Sequence, residues 1–118
     1  KLTDHMNWHP LTSTEQLDEV LQESKETPVV IFKHSTACSI SSTAKSRLER
    51  QWQGAGLDHV KPYYLDLLSY RPVSNEVAEV LHVTHQSPQI LLVQDGVCTY
   101  DASHLSISVD ALKKKITA

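Results

Sequence analysis

The sequence has no apolar run of the roughly 20 residues that a bilayer crossing needs. Its longest, Val29-Val30-Ile31-Phe32 and Ile90-Leu91-Leu92-Val93, have the length of strands. It also lacks a basic block: 11 Lys and Arg against 14 Asp and Glu leave a net charge of −3, a poor match for polyanionic nucleic acid or an anionic membrane surface. Cysteine is scarce. The two present, Cys38 and Cys98, do not make the framework of a secreted, disulfide-stapled domain, and a reducing cytoplasm is the expected compartment. With no internal repeat, linker or low-complexity tract, 118 residues make one domain of ordinary size.

Lys1-Leu2-Thr3-Asp4-His5 precedes Met6, and a His-Met pair is what a common cloning site leaves. Residues 1–5 are therefore read as cloning residue and 6–118 as the single domain, with no charged-then-apolar leader after Met6. Ser13 can cap a first helix while Gln16 reaches back towards it, and Leu17, Val20 and Leu21 give that helix an apolar stripe. The unbroken run Val29 to Phe32 suggests a central strand buried on both faces, as in parallel α/β sheets. Lys33 to Ala37 form a polar loop to Cys38. Ile40, Ala44, Leu48 and Trp52 then mark one face of a second helix, stopped by Gly54 and Gly56. A second strand is expected from about Tyr63, and a third helix, carrying Val77, Val80 and Leu81, after Pro72 and Ser74. Gln89 to Gln94, the turn pair Asp95-Gly96 and Val97 to Asp101 read as a β-hairpin. A last helix from about Ser106 turns Val109, Leu112 and Ile116 inward and ends on Lys113-Lys114-Lys115, cations suited to the helix dipole.

The order βαβ, helix, ββα, with Pro88 directly before the hairpin, is the arrangement of the thioredoxin fold. The expected class is α/β: a central mixed sheet of about four strands, two parallel plus the C-terminal hairpin, flanked by helices. In that arrangement Cys38 stands where the first central strand turns into its helix, and Ser87-Pro88 is the place for a cis-proline. A thiol at a helix start faces unpaired N–H groups and the positive end of the dipole, which favour the thiolate. The polar flanks Ser35, Thr36, Ser39 and Ser41 argue against an inert core cysteine. The position three residues on, where a dithiol enzyme carries its second cysteine, is Ser41 in Cys38-Ser39-Ile40-Ser41. A hydroxyl cannot close a disulfide but can hydrogen-bond the thiolate, so the chemistry is that of a monothiol needing an outside thiol. Cys98, among apolar strand residues, is expected to be packed and unreactive. No set of the seven histidines with a cysteine has zinc-site spacing, and no metal is expected. His85 is expected on a loop facing Cys38, where it would stabilise the thiolate or bind an anionic group.

Phe32-Lys33-His34-Ser35-Thr36-Ala37-Cys38-Ser39-Ile40-Ser41-Ser42, together with Tyr70-Arg71-Pro72-Val73-Ser74-Asn75 and His85-Gln86-Ser87-Pro88-Gln89, closely resembles the YtxJ-type monothiol bacilliredoxins. These are the bacillithiol system redox-active proteins of Gram-positive bacteria. The likeness runs from Asn7 onward; Ala37 and Ser39 depart from the residues common there, a polar or basic residue and proline. It implies a cytoplasmic thiol oxidoreductase that removes bacillithiol from mixed disulfides on proteins through a Cys38–bacillithiol intermediate. Bacillithiol is then the co-substrate and bacillithiolated proteins are the partners, with no tightly bound cofactor, no nucleic acid or membrane, and a monomeric protein. The resemblance makes Cys38 the nucleophile, Ser41 the place of the missing resolving cysteine and Pro88 the cis-proline. Thr36, His85, Gln86, Ser87 and Pro88 would hold substrate. By analogy with glutaredoxins, Ser103 and His104 would bind its carboxylates at a helix start. Two other readings remain open at this level: a thioredoxin-fold sensor or binding module without turnover, and an iron–sulfur protein like monothiol glutaredoxins.

Overall fold

The computed structural model describes residues 6–116; Lys1 to His5, read above as cloning residue, lie outside the described residues. The chain forms β1 (His9–Pro10), α1 (Thr14–Glu23), β2 (Val29–His34), α2 (Ser39–Trp52), β3 (Lys61–Asp66), α3 (Arg71–Leu81), β4 (Gln89–Gln94), β5 (Val97–Ser103) and α4 (Val109–Lys115). Ser13 caps α1, its Oγ accepting from Gln16 N–H. Gln16 also reaches back, beyond the cap itself: Oε1 accepts from Thr12 N–H at 2.9 Å and Nε2 donates to the Pro10 carbonyl at 2.7 Å. One side chain thus ties the helix start to β1.

The strands lie in the order β1-β3-β2-β4-β5. β1 and β2 run parallel to β3, and β4 runs antiparallel to β2 and β5. The sheet therefore has five strands rather than the four expected; a two-residue strand leaves no alternating pattern in the sequence. β3 also starts earlier than expected, at Lys61, and contains Pro62. Proline is tolerated because β1 pairs only with Tyr63 and Tyr64, so Pro62 has no neighbour on that side needing a donor. The hairpin turns on Asp95 and Gly96, both at positive φ, and the return strand continues to Ser103, past Asp101.

β2, central in the sheet, is buried at all six positions. Val30 and Phe32 face a layer with Ala44, Leu48 and Trp52 of α2 and Val109 and Leu112 of α4. Val29 and Ile31 face Leu17 and Val20 of α1 and Val73, Val77 and Leu81 of α3. Each such side chain contributes roughly 1.5–3 kcal/mol by leaving water. Two residues of the apolar helix positions read from the sequence are exposed, Ile40 at 49% and Val80 at 37%. A spacing of four drifts about 40° per step around a helix of 3.6 residues per turn, so a stripe that is buried at Leu48 has rolled outward by Ile40. The last helix is shorter than expected. His104–Ser106 form a 3₁₀ turn, and Ser108 caps α4 by accepting from Ala111 N–H. Its final turn carries Lys113, Lys114 and Lys115. Among the described residues no helix is long and apolar enough to cross a membrane.

Candidate functional site

The site lies at the end of the sheet where β2 finishes at His34 and β4 begins at Gln89. Lys33 pairs with Gln89 in the register, which brings the Ser87-Pro88 segment level with the loop leaving β2. The Ser87–Pro88 peptide is cis. Cys38 is the N-cap of α2, half-buried in extended backbone; its N–H donates to the Ser35 carbonyl and its carbonyl accepts from Ser42 N–H. The first turn of α2 carries no acidic residue. The sulfur therefore stands at the electropositive end of a 14-residue helix without a competing carboxylate there.

The expected thiolate contact from Ser41 is replaced by another. Ser41 is fully buried, and its Oγ lies 2.6 Å from His34 Nδ1 and accepts from Ser35 N–H at 3.1 Å. The hydroxyl thus closes the loop that bears Cys38 rather than serving the sulfur. His34 is itself buried, stacked on Phe32 at 5.7 Å and tilted against Tyr64 at 5.5 Å. Burial, reinforced by the nearby Lys45 ammonium, holds this imidazole below the usual histidine range.

His85 lies on the loop before Ser87-Pro88, as expected, and is exposed. Its hydrogen-bond contacts are to the side of α3: Nδ1 lies 3.2 Å from Lys33 Nζ and 3.5 Å from Ser74 Oγ. Lys33 is fully buried, donates to the Ser74 carbonyl at 3.1 Å, and is pushed down to about 8 by burial. Gln86 is exposed, and its N–H donates to the side chain of buried Gln89, which also donates to the Thr84 carbonyl. Ser87 Oγ is the buried side-chain oxygen without a hydrogen-bond partner among the described residues. Thr36 is exposed on the turn before Cys38.

His104 N–H donates to the Pro88 carbonyl at 3.0 Å, so the Ser103-His104 loop and the cis-proline segment are joined. Ser103 is half-buried and pairs with Gln89. His104 and Leu105 then line a groove of about 240 Å³ with Ser39, Ile40, Thr43 and Arg47 of α2. Cys98 sits apart on β5, half-buried, its Sγ donating to the Tyr100 carbonyl and its thiol pushed up by burial. No group of three or more His, Cys, Asp or Glu among the described residues could hold a metal ion.

Lys33, His34, Ser74, Gln89 and Arg47 are site residues to which no role was assigned from the sequence. Lys33 and His34, read there as loop, instead complete β2, every position of which is buried, and alternation sends their side chains to opposite faces.

The chain matches the family model described as monothiol bacilliredoxin over residues 9–112. Similar solved structures include a protein described as an oxidoreductase with a thioredoxin fold, 27% identical over 90% of each chain with a TM-score of 0.73. A thioredoxin from Malassezia sympodialis is 17% identical over 92% of this chain and 86% of its own, TM-score 0.72. One from Schistosoma mansoni is 16% identical over 93% and 95%, TM-score 0.73. The last two share the fold.

Proposed function

The chain belongs to the monothiol bacilliredoxin family and is a thiol oxidoreductase of thioredoxin fold, and we propose that it removes bacillithiol from mixed disulfides on proteins. The observation that carries this reading is the pairing of Cys38, at the start of α2, with a buried serine three residues on that is bonded elsewhere. A site so built can accept one sulfur and has no second thiol to expel it.

In the proposed cycle the Cys38 thiolate attacks the bacillithiol sulfur of a protein–S–S–bacillithiol disulfide. The new bond joins Cys38 to bacillithiol, and the old S–S bond breaks. The target protein leaves as a thiolate, takes a proton from solvent and is reduced by two electrons; the oxidation is conserved in the Cys38–bacillithiol disulfide. A second bacillithiol thiolate then attacks that disulfide, releasing bacillithiol disulfide and Cys38. No tightly bound cofactor takes part, and the reducing cytoplasm supplies the thiol. Exposed Ile40 and Leu105, which line the groove between α2 and the His104 turn, and Tyr70, before α3, supply apolar surface for a protein substrate. The joined Pro88 and His104 segments, with Ser87, Thr36 and Gln86, form the wall that the bacillithiol moiety would meet.

The test is turnover on a bacillithiol-capped protein with bacillithiol in excess, followed by mass spectrometry of substrate and enzyme. Wild type is expected to release the cap and to show a transient Cys38 adduct, and Cys38→Ala to do neither. Release of no more than one cap per enzyme molecule, with a permanent Cys38 adduct, would instead describe a sensor. Release by Cys38→Ala would refute the assignment.

A further inference from the structure

A lysine ammonium is among the groups least often buried without a carboxylate. Lys33 is fully buried on the central strand, and no carboxylate pairs with it among the described residues. Its partners are the Ser74 carbonyl at 3.1 Å and His85 Nδ1 at 3.2 Å. An ammonium has donors and no acceptor. Facing it, Nδ1 of His85 must present its lone pair, which leaves the ring proton on Nε2.

We propose that Lys33 is a positioning residue for the cis-proline wall: it fixes His85 as the neutral Nε2–H tautomer, so that the ring offers a hydrogen-bond donor two residues before Ser87-Pro88. The acceptor this would serve is an uncharged or anionic oxygen of the group bound on that wall, a carbonyl, hydroxyl or carboxylate. This rests on reading that segment as substrate-facing, but the tautomer is a property of the free protein and is measured without turnover.

The surroundings of His85 favour the same state. The charged groups that face it are Lys33 from β2 and Arg71 from α3, both cations, and Ser74 of α3 adds a neutral hydroxyl. With the partial desolvation of the ring, they hold the imidazole below the usual histidine range. His85 thus stays uncharged at neutral pH, with its proton placed by a neighbour.

Nitrogen NMR of histidine-labelled protein reads both properties. In wild type at pH 7, His85 Nδ1 should resonate as an unprotonated nitrogen and Nε2 as a protonated one, with a titration midpoint below that of a free histidine. Lys33→Met keeps the length and apolar stem of the side chain but removes the donor. Its His85 midpoint should move up, and its two nitrogen signals should draw towards each other as the tautomers mix. The unmodified protein supplies a second measurement: raising the pH through the lysine's value of about 8 lets its nitrogen accept as well as donate, and the same mixing should begin. A predominant Nδ1–H tautomer in wild type would overturn the proposal. So would a His85 midpoint and tautomer unchanged both in Lys33→Met and between pH 7 and the alkaline limb. Loss of de-bacillithiolation with the tautomer as described would count against the function and leave this inference standing.

Discussion

Ser41→Ala decides what the hydroxyl at position 41 is for. Removing Oγ strips two groups of their partner at once: His34 Nδ1, in a ring only 5% exposed, and the Ser35 N–H. A buried polar group left without a partner costs about 1–3 kcal/mol. His34 belongs towards the upper part of that range because water does not reach it; Ser35, half-buried on the loop, belongs at the lower end. Alanine returns a few tenths of a kcal/mol in helix propensity. The net loss is about 2–4 kcal/mol, or roughly 8–15 °C in Tm for a domain of this size. That is a large part of the 5–15 kcal/mol that holds such a domain together.

The assay is urea unfolding of Ser41→Ala, His34→Phe and the double variant, all in a Cys98→Ala background. Phenylalanine at 34 keeps the ring contacts to Phe32 and Tyr64. If the two residues hold each other, Ser41→Ala should cost about 1–2 kcal/mol less when His34 has already been replaced. Alkylation of Cys38 by iodoacetamide, measured in parallel, reports the sulfur. A stability change under about 0.5 kcal/mol in Ser41→Ala, with a clear change in the alkylation rate, would put the hydroxyl on the sulfur and refute the clasp.

The remaining expectations follow from burial and charge. Burial depresses His34, and partial desolvation with nearby cations depresses His85 and His9, in the folded protein; the unfolded chain therefore takes up protons first as pH falls below about 6.5, and the urea midpoint should drop from pH 7.5 to pH 5.5, less steeply in His34→Phe. Lys33, lowered to about 8 from an ordinary 10.5, gives the opposite end of the range: between those values the unfolded chain holds the proton the native one has lost, so stability contributed at this site rises with pH. The difference in urea midpoint between wild type and Lys33→Met should shrink from pH 8 to pH 10, and Lys33→Met should be more stable at pH 7 by about 1–2 kcal/mol. Cys98, raised by burial, should react with oxidised bacillithiol more slowly than Cys38, and mass spectrometry of the two single alanine variants should show the adduct lost only in Cys38→Ala.

The sequence displayed the elements that carry strong local signals. Ser13 and Gln16 mark the start of α1, the all-apolar run marks β2, and Asp95-Gly96 marks the hairpin; each works through contacts within a few residues. What it concealed depends on parts far apart in the chain. β1 exists because two residues meet Tyr63 and Tyr64, more than fifty positions on. Cys38 and Pro88 were legible because each sits at a junction that the element order defines. The partners of Ser41 and His85 were not. A serine hydroxyl bonds whatever acceptor or donor the packing supplies, and spacing alone suggested the sulfur. His85 turned to Lys33 because β2 carries a buried ammonium there, and a polar residue after an apolar run reads, from pattern, as the beginning of a loop.

The last two residues of β2 account for much of the site between them, and they do so on opposite faces. Lys33 points with Val29 and Ile31 towards α1 and α3, where it reaches Ser74 and His85; His34 points with Val30 and Phe32 towards α2, where it reaches Ser41. Adjacent in the chain, they share no hydrogen-bond partner, and the sheet stands between their side chains. An apolar residue at 33 would extend the core and is expected to stabilise the fold, so the lysine stands there at a cost in stability, as is common for groups that organise a site rather than a core. The separation has a measurable consequence. Lys33→Met should change the His85 signals and leave Cys38 alkylation untouched, while His34→Phe should do the reverse. Their effects on unfolding free energy, of opposite sign, should sum to within about 0.5 kcal/mol. A larger coupling would mean that the two walls move together through the strand, and that the loop bearing Cys38 and the cis-proline segment act as one unit rather than two.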